Sequence, residues 1–225
     1  MSIIDSQKNT AVPVSVFQLF SIGIGPSSSH TVGPMRAARM FSGKLLELQL
    51  LDQLDAIKVE LYGSLAMTGK GHATDIAILL GLEGEAPELV APEQVEPRVL
   101  QIRSERVLNV LGICPINFSP DEDLLFLRGK RLPFHSNAMK IRAFNSEQKE
   151  IFSKIYYSVG GGFVVEHEHI FQEAPANETP LPLAVPFPFS TCEELLIHCR
   201  QSGLKIHEVV MENEKTRRTR TGFRS

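Results

Sequence analysis

The spacing of apolar residues changes along the chain, and this change limits the folds that the chain can adopt. After Met35, apolar residues recur at steps of three and four, which predicts an amphipathic helix from about residue 31 or 33 to residue 51. Ile57, Val59 and Leu61 then alternate with polar residues, as in a half-buried strand. A second alternation at residues 139–143, a polar turn and a return segment at 150–158 predict a hairpin. We therefore expect a fold that contains both helices and strands.

The composition excludes several classes of protein. The 225 residues are 43% hydrophobic and 22% charged, which is typical of a globular protein with one or two domains. A formal net charge of −3 argues against nucleic-acid binding over most of the length. No apolar run approaches the roughly 20 residues that a membrane helix needs, and the polar first ten residues lack the order of a signal peptide. We expect a cytoplasmic protein with no membrane and no nucleic-acid partner.

The segment with the densest set of residues suited to ligand binding is residues 23–34, GIGPSSSHTVGP. Its glycines let the backbone approach a ligand, and its hydroxyls and imidazole provide polar groups. We expect Thr31 to cap the helix that follows, with Pro34 in the first turn of that helix. The free amides of the helix start could then hold a small carboxylate or phosphate. An ordinary turn before a helix has a similar composition, and the residues alone do not separate the two interpretations.

Three further segments hold candidate site residues. Residues 63–71 are expected to form a glycine-bearing loop before a second helix, and Lys70 and His72 lie at the start of that helix. His72 could act as a general base, or it could be an exposed capping histidine. His135 and Asn137, two residues apart, would share one face of a strand start, either for recognition of a carboxylate or amino group or as a polar edge. The His-Glu-His triplet at 167–169 could bind zinc, but the sequence shows no further ligands nearby, which favours an exposed loop.

The rest of the chain contains connections and one further helix. Residues 83–98 are rich in Glu and Pro and predict an exposed connection, and residues 107–117 could be a strand or a short helix. Residues 173–188 contain five prolines and predict a linker. Capping-box patterns at Ser190 and Thr191 predict a helix start, and Cys192 and Cys199 are expected on the buried face of this helix rather than on a metal. Residues 215–225 are basic, as in a solvated tail.

Three segments together resemble the β domain of bacterial iron–sulfur L-serine dehydratases, also called L-serine ammonia-lyases. They are residues 23–34, residues 62–77 (YGSLAMTGKGHATDIA) and residues 156–163 (YYSVGGGF), in this order. The resemblance extends from about residue 16 to about residue 214. It implies an α+β fold with a mixed sheet and helices packed on it, similar to the allosteric substrate-binding domain of some D-3-phosphoglycerate dehydrogenases.

The resemblance also implies a reaction and a cofactor. Family members convert L-serine to pyruvate and ammonia without pyridoxal phosphate. Their [4Fe–4S] cluster is bound by a larger α domain, which this sequence does not contain. The resemblance therefore implies that this chain alone is inactive and binds no metal. It implies three partners: L-serine or a related small carboxylate, an α domain in cis or in trans, and a second copy in a homodimer.

The matching motifs assign roles and domain limits. His72 corresponds to a histidine thought to act as a base, and the other matching positions are assigned to substrate or effector contacts. These positions are Ser27, Ser28, Ser29, His30, Thr31, Lys70, His135, Asn137 and Ser158. The expected organisation is a flexible N-terminus at 1–13, the β domain at 14–170, a proline-rich tether at 171–189, the truncated start of the α domain at 190–214 and an atypical basic tail at 215–225. A stand-alone serine-sensing module remains the alternative, and a nucleic-acid binder that uses the basic tail is a weaker one.

Overall fold

The computed structural model describes residues 23–170 and 185–216, which belong to two separate compact units. The expected flexible N-terminus, most of the proline-rich tether and most of the basic tail lie outside the described residues. None of the described helices is both long and apolar enough to cross a membrane. In the larger unit the helices are α1 (Val32–Glu47), α2 (Gly63–Thr68), α3 (Thr74–Leu82), α4 (Pro92–Glu105), α5 (Pro120–Asp123) and α6 (His167–Ile170). Its strands are β1 (Ala56–Tyr62), β2 (Val107–Val110), β3 (Cys114–Asn117), β4 (Leu124–Phe126), β5 (Asn137–Phe144), β6 (Glu150–Val159) and β7 (Phe163–Glu166).

Five of the strands form one mixed sheet in the order β4-β1-β5-β6-β7. β1 pairs with β4 in parallel and with β5 antiparallel, and β6 and β7 continue antiparallel. β2 and β3 form a separate antiparallel hairpin, which resolves the open alternative for residues 107–117 in favour of strands. The α+β fold with a mixed sheet and packed helices is confirmed.

The core lies between one face of the sheet and helices α1 and α3. Ile57, Val59 and Leu61 of β1 are fully buried, as the alternation predicts, and Phe41 and Leu45 of α1 are fully buried too. Burial of each such side chain stabilises the fold by about 1.5–3 kcal/mol. The two helices also approach closely, because a Cβ at Gly81 of α3 would lie 2.3 Å from the Met35 carbonyl oxygen of α1.

Three predictions about local structure were wrong. Residues 63–71 are not simply a loop, because 63–68 form α2, with Leu65 and Ala66 buried. Residues 92–98 belong to helix α4, which begins at Pro92 and tolerates a second proline at Pro97. A proline in the first turn loses no helical hydrogen bond, and the later burial of Val99 and Ile102 holds α4 to the core. The first helix ends at Glu47 rather than at residue 51.

The smaller unit contains α7 (Cys192–Ser202) and α8 (Ile206–Lys215). The predicted capping box is confirmed at Thr191, whose hydroxyl accepts from the Glu194 amide at 3.2 Å, and Gly203 ends the helix at φ 73°. The predicted buried face is wrong, because no residue of α7 is buried and Cys192 is exposed. A periodic apolar pattern identifies a helix face, but it does not by itself supply the element that covers this face.

Candidate functional site

The segment before α1 is a tight turn that places His30 inside the molecule. The Ser27 carbonyl accepts from the amides of His30 at 3.0 Å and Thr31 at 2.9 Å. It also accepts from the Thr31 hydroxyl at 2.8 Å, so this hydroxyl does not cap α1, although Thr31 occupies the N-cap position. The Ser28 carbonyl accepts from the Gly33 amide at 2.9 Å. The turn thus satisfies amides of the helix start with its own carbonyls, which corrects the expected anion cradle.

The His30 imidazole is the centre of a hydroxyl network. Its Nδ1 lies 3.3 Å from Ser27 Oγ and 3.1 Å from Ser29 Oγ. Its Nε2 lies 3.1 Å from Ser64 Oγ and 3.0 Å from Thr68 Oγ1. Hydroxyls donate and accept equally well, so the network can satisfy either neutral tautomer of the ring. The network fixes the orientation of a side chain that is only 8% exposed.

Burial keeps this imidazole neutral. Loss of hydration lowers the pKa of His30 below its ordinary value of 6.5, and the neighbouring His72 lowers it further, while a hydrogen bond to the Ser64 backbone acts in the opposite direction. The two rings lie 5.0 Å apart between centroids and are inclined by 38°. The site therefore contains one buried neutral imidazole beside a second, half-buried one.

His72 lies on a single 3₁₀ turn, Lys70–His72, between α2 and α3. Its Nδ1 is 2.9 Å from the Thr68 carbonyl oxygen. A carbonyl oxygen only accepts hydrogen bonds, so Nδ1 is the donor, and in the tautomer with this single donor Nε2 is an acceptor. Nε2 then presents its lone pair, and it makes no hydrogen bond to any residue that the structure describes. An acceptor nitrogen without a partner among the described residues can take up a proton.

Asn137 and Ser158 form a second polar group close to the first. The Asn137 side chain donates to the Ser158 carbonyl at 3.3 Å, and its backbone amide donates to His135 Nδ1 at 3.1 Å. Asn137 Oδ1 and Ser158 Oγ are buried without a hydrogen-bond partner among the described residues. Since an unsatisfied buried polar atom costs about 1–3 kcal/mol, these two oxygens favour a site for a hydrogen-bond donor.

Backbone contacts connect the two polar groups. Gly63 pairs with Asn137 in an isolated bridge, and the Ser64 amide donates to the Ser136 carbonyl at 2.8 Å. The same Ser64 contacts His30 through its hydroxyl. Gly63 is required here, because at φ 55° an added Cβ would lie 2.2 Å from the Ser136 carbonyl oxygen. The end of β1 and the start of β5 thus hold the two polar groups next to each other.

The structure brings together most of the predicted site residues, but not all of them. Residues in direct contact around the paired imidazoles are Ser27, Ser29, His30 and His72. The Lys70 ammonium instead lies 5.5 Å from the centre of the Phe126 ring, where it lines a different cavity. His135 precedes β5 rather than belonging to it, so the predicted shared strand face with Asn137 is wrong.

Sequence reasoning missed Ser64 and Thr68. They are four residues apart, so they share one face of a helix, but residues 63–71 were expected to be a loop. Leu65 and Ala66 are buried in this helix, and a helical interpretation would have placed both hydroxyls on one face, but the contact of this face with His30 is tertiary.

The described residues do not fit a metal cluster. No group of three or more His, Cys, Asp or Glu side chains among them is arranged to hold a metal ion, and the triplet at 167–169 is no exception. Tyr157 Oη lies 2.9 Å from His167 Nδ1, which is an ordinary hydrogen bond between neighbouring elements. The Cys114 thiol faces the Leu51 carbonyl at 3.6 Å, and burial raises its pKa. A cluster would therefore need ligands from outside this part of the chain.

Comparison with known proteins gives the class and then the family. The described residues define the class as an α+β domain in which two imidazoles and several hydroxyls lie in contact. A family model described as the serine dehydratase beta chain matches residues 15–169. The L-serine dehydratase of Streptomyces coelicolor is 48% identical over 202 residues, which are 90% of this chain and 44% of that protein. L-serine dehydratase 1 of Escherichia coli is 44% identical over 89% of this chain and 43% of its own length. The chain belongs to the serine dehydratase beta chain family, and it spans less than half the length of these relatives.

Proposed function

We propose that this chain is the β-domain portion of an L-serine ammonia-lyase, which converts L-serine to pyruvate and ammonia in serine catabolism. The names of the relatives support the reaction. The observation that carries the proposal to this chain is the geometry of His72, whose Nδ1 donates to the Thr68 carbonyl at 2.9 Å. With Nδ1 fixed as the donor, Nε2 is the acceptor that can remove a proton from the substrate.

The other site residues position the substrate. His30, neutral and fixed by four hydroxyls, limits the positions that the His72 ring can adopt beside it. The buried oxygens of Asn137 and Ser158 are acceptors suited to an ammonium or hydroxyl group. Ser27, Ser28, Ser29, Thr31 and His135 complete the proposed wall for substrate or effector.

The proposal includes partners that supply what this chain lacks. An α domain, in cis or in trans, would hold a [4Fe–4S] cluster that acts as a Lewis acid on the leaving hydroxyl, in place of pyridoxal phosphate. We further propose a cytoplasmic homodimer. In this arrangement the role of this chain is to orient L-serine and to accept a proton at His72 Nε2.

Reconstitution tests the proposal. The chain is co-expressed with the part of the Streptomyces coelicolor relative that it does not match, and pyruvate formation from L-serine is measured after cluster reconstitution. We expect activity from the complex and none from the chain alone. His72→Gln should lower kcat by about 10²–10⁴-fold, the range typical of losing a general base. His169→Gln, at an exposed histidine of α6, is the matched control and should leave kcat unchanged.

Two results would contradict this role. Full activity of the His72→Gln complex would exclude His72 as the base. Pyruvate formation by the purified chain alone, in proportion to bound iron, would show that the chain holds a cluster itself. Co-elution of the two parts on gel filtration shows that any loss of activity arises in an assembled complex.

A stand-alone serine-binding module is the second candidate, because the unpartnered oxygens of Asn137 and Ser158 could accept hydrogen bonds from L-serine without an α domain. In this case the chain alone binds L-serine in a calorimeter, and Ser158→Ala weakens the binding. Measurable binding together with inactivity of every reconstituted complex would favour the module over the lyase.

A further inference from the structure

A cavity lies beside the turn that carries His72, and Lys70, Gly71 and Ala73 of this turn line it. It encloses about 600 Å³, within the range of about 300–1,000 Å³ that is typical of small-molecule sites. Its polar lining consists of Lys70, Asp75, Arg103, Arg106, Ser119 and Asp121, and its apolar lining includes Ile76, Leu124 and Phe126. None of the hydroxyl groups around His30 belongs to this lining, so the cavity is separate from the site described above.

The charges of the lining leave an excess of cations. Arg103 and Asp75 neutralise each other across 2.8 Å. Lys70 and Arg106 form no ion pair with any residue that the structure describes, and they face the single remaining acid, Asp121. Two cations against one carboxylate favour an anionic occupant.

Neighbouring residues extend this positive charge toward solvent. An adjoining depression shares Lys70 and Phe126 with the cavity and adds Arg128. Lys130 and Arg131 follow on the same loop and line the next depression along the surface. Since the whole chain has a formal net charge of −3, this concentration of positive charge is local and would attract small anions to the entrance.

The apolar wall selects among anions. Lys70 Nζ lies 5.5 Å from the centre of the Phe126 ring, so the ammonium sits at the border between the charged and the apolar parts of the lining. An occupant can then place its anionic group near Lys70 and Arg106 while an apolar portion contacts Leu124 and Phe126. Inorganic phosphate can use only the first of these two regions.

We propose that this cavity is a regulatory site for a small carboxylate with an apolar body, and that its occupancy is transmitted to His72. Lys70, Gly71 and Ala73 line the cavity, and His72 lies between them with its ring on the side of His30. Ala73 has φ 61°, an uncommon conformation for a residue with a side chain, so the backbone at this turn has little freedom to absorb a displacement. A ligand that moves Lys70 or Gly71 therefore moves the imidazole.

The binding part of this inference does not depend on the proposed function, whereas its regulatory meaning does. The test uses the full chain with three probes: 3-methylbutanoate, its neutral amide 3-methylbutanamide, and inorganic phosphate. Calorimetry measures binding, and the ¹H–¹³C spectrum of the histidine rings reports on His72, assigned through His72→Gln. The resonance of His198, in the other unit, is the internal reference.

We expect 3-methylbutanoate to bind, the amide not to bind, and phosphate to bind more weakly. Arg106→Gln should raise the Kd for 3-methylbutanoate at least about tenfold, as loss of a charge-assisted hydrogen bond does. Lys149→Met, an exposed lysine in the β5–β6 turn, is the matched control and should leave the Kd unchanged. Binding should shift the His72 ring resonance and leave that of His198 in place.

Three outcomes would overturn the proposal. Equal binding of the acid and the amide, or equal binding by Arg106→Gln and the wild type, would remove the anion site. Tighter binding of phosphate than of 3-methylbutanoate would show that the site prefers phosphate to a carboxylate. Binding without any shift at His72 would remove the regulatory link, whatever the outcome of the reconstituted serine assay.

Discussion

Gly33, in the first turn of α1, is where the fold and the candidate site meet most closely. An alanine Cβ at this position would lie 1.9 Å from Ser158 Oγ and 2.8 Å from Ser158 Cβ. Rotation of the serine side chain can move Oγ away, but it leaves Cβ in place. Helix α1 and strand β6 must therefore separate by about half an ångström to reach ordinary contact distance.

The expected cost follows from two opposing terms. Overpacking a well-filled core costs about 1–3 kcal/mol, while replacing glycine by alanine in a helix gains up to about 1 kcal/mol. We expect Gly33→Ala to lose about 1–2 kcal/mol, which lowers Tm by about 2–8 °C in a protein of this size. Gly43→Ala, in the same helix with nothing within 4 Å of the added Cβ, should instead raise Tm by about 1–4 °C.

Tyrosine fluorescence is a suitable assay, because the chain has no tryptophan and all three tyrosines lie in the five-stranded sheet. Urea and thermal unfolding followed in this way report on the larger unit. The double variant Gly33→Ala/Ser158→Gly removes both close atoms and leaves the nearest one, Ser158 Cα, at 3.5 Å. Its loss of unfolding free energy should therefore be smaller than the sum of the losses of the two single variants, by about 0.5–3 kcal/mol. Equal stability of Gly33→Ala and Gly43→Ala would refute the packing argument.

Three further predictions concern packing, a half-buried ion pair and pH. Gly81→Ala would place Cβ 2.3 Å from a backbone carbonyl of α1, so we expect a loss of about 2–3 kcal/mol in urea unfolding, and a neutral result would mean that α1 and α3 are not in close contact. Arg98→Ala removes the partner of Glu83, whose side chain is 7% exposed, and should cost about 1–3 kcal/mol in the same assay; a cost below about 0.5 kcal/mol would place this pair among ordinary surface pairs. Because the pKa of His30 is lowered in the folded state, the unfolded chain binds the extra proton first, so stability falls as pH decreases below about 6.5. His30→Gln should lose less stability than wild type between about pH 7.5 and pH 5.5, while the exposed control His169→Gln should behave as wild type.

Much of the fold follows from periodic patterns, and the exceptions have physical causes. The alternation at Ile57–Leu61 and the hairpin of β5 and β6 depend on local spacing, which the sequence displays directly. The sequence did not predict α4, because only Val99 and Ile102 of this helix are buried and the segment before them is rich in Glu and Pro. Cys192 was expected to be buried because an apolar stripe shows which face of a helix is apolar, but not whether another element covers it.

The sequence identified several members of the candidate site, but it missed Ser64 and Thr68 and did not show how the residues group. The family motifs named His30, His72, Asn137 and Ser158, and the structure places the two histidines side by side. No sequence pattern showed that Lys70, only two residues from His72, belongs to a different cavity. A 3₁₀ turn has three residues per turn, so the side chains of residues two apart point in clearly different directions. Lys70 and His72 are therefore close in sequence but face different parts of the molecule.

The positions of the candidate site and of the cavity beside Lys70 are related to the parallel pair of β1 and β4 in the described sheet. β1 and β4 run in the same direction, so their carboxyl ends, Tyr62 and Phe126, lie at the same edge. Ligand sites in sheets with parallel strands tend to lie beyond such carboxyl ends. The segment that leaves β1 forms α2 and the turn at 70–72, which places His72 toward the loop before α1 and Lys70 toward the end of β4. A single turn thus contributes His72 to the paired imidazoles and Lys70 to the cavity at the end of β4.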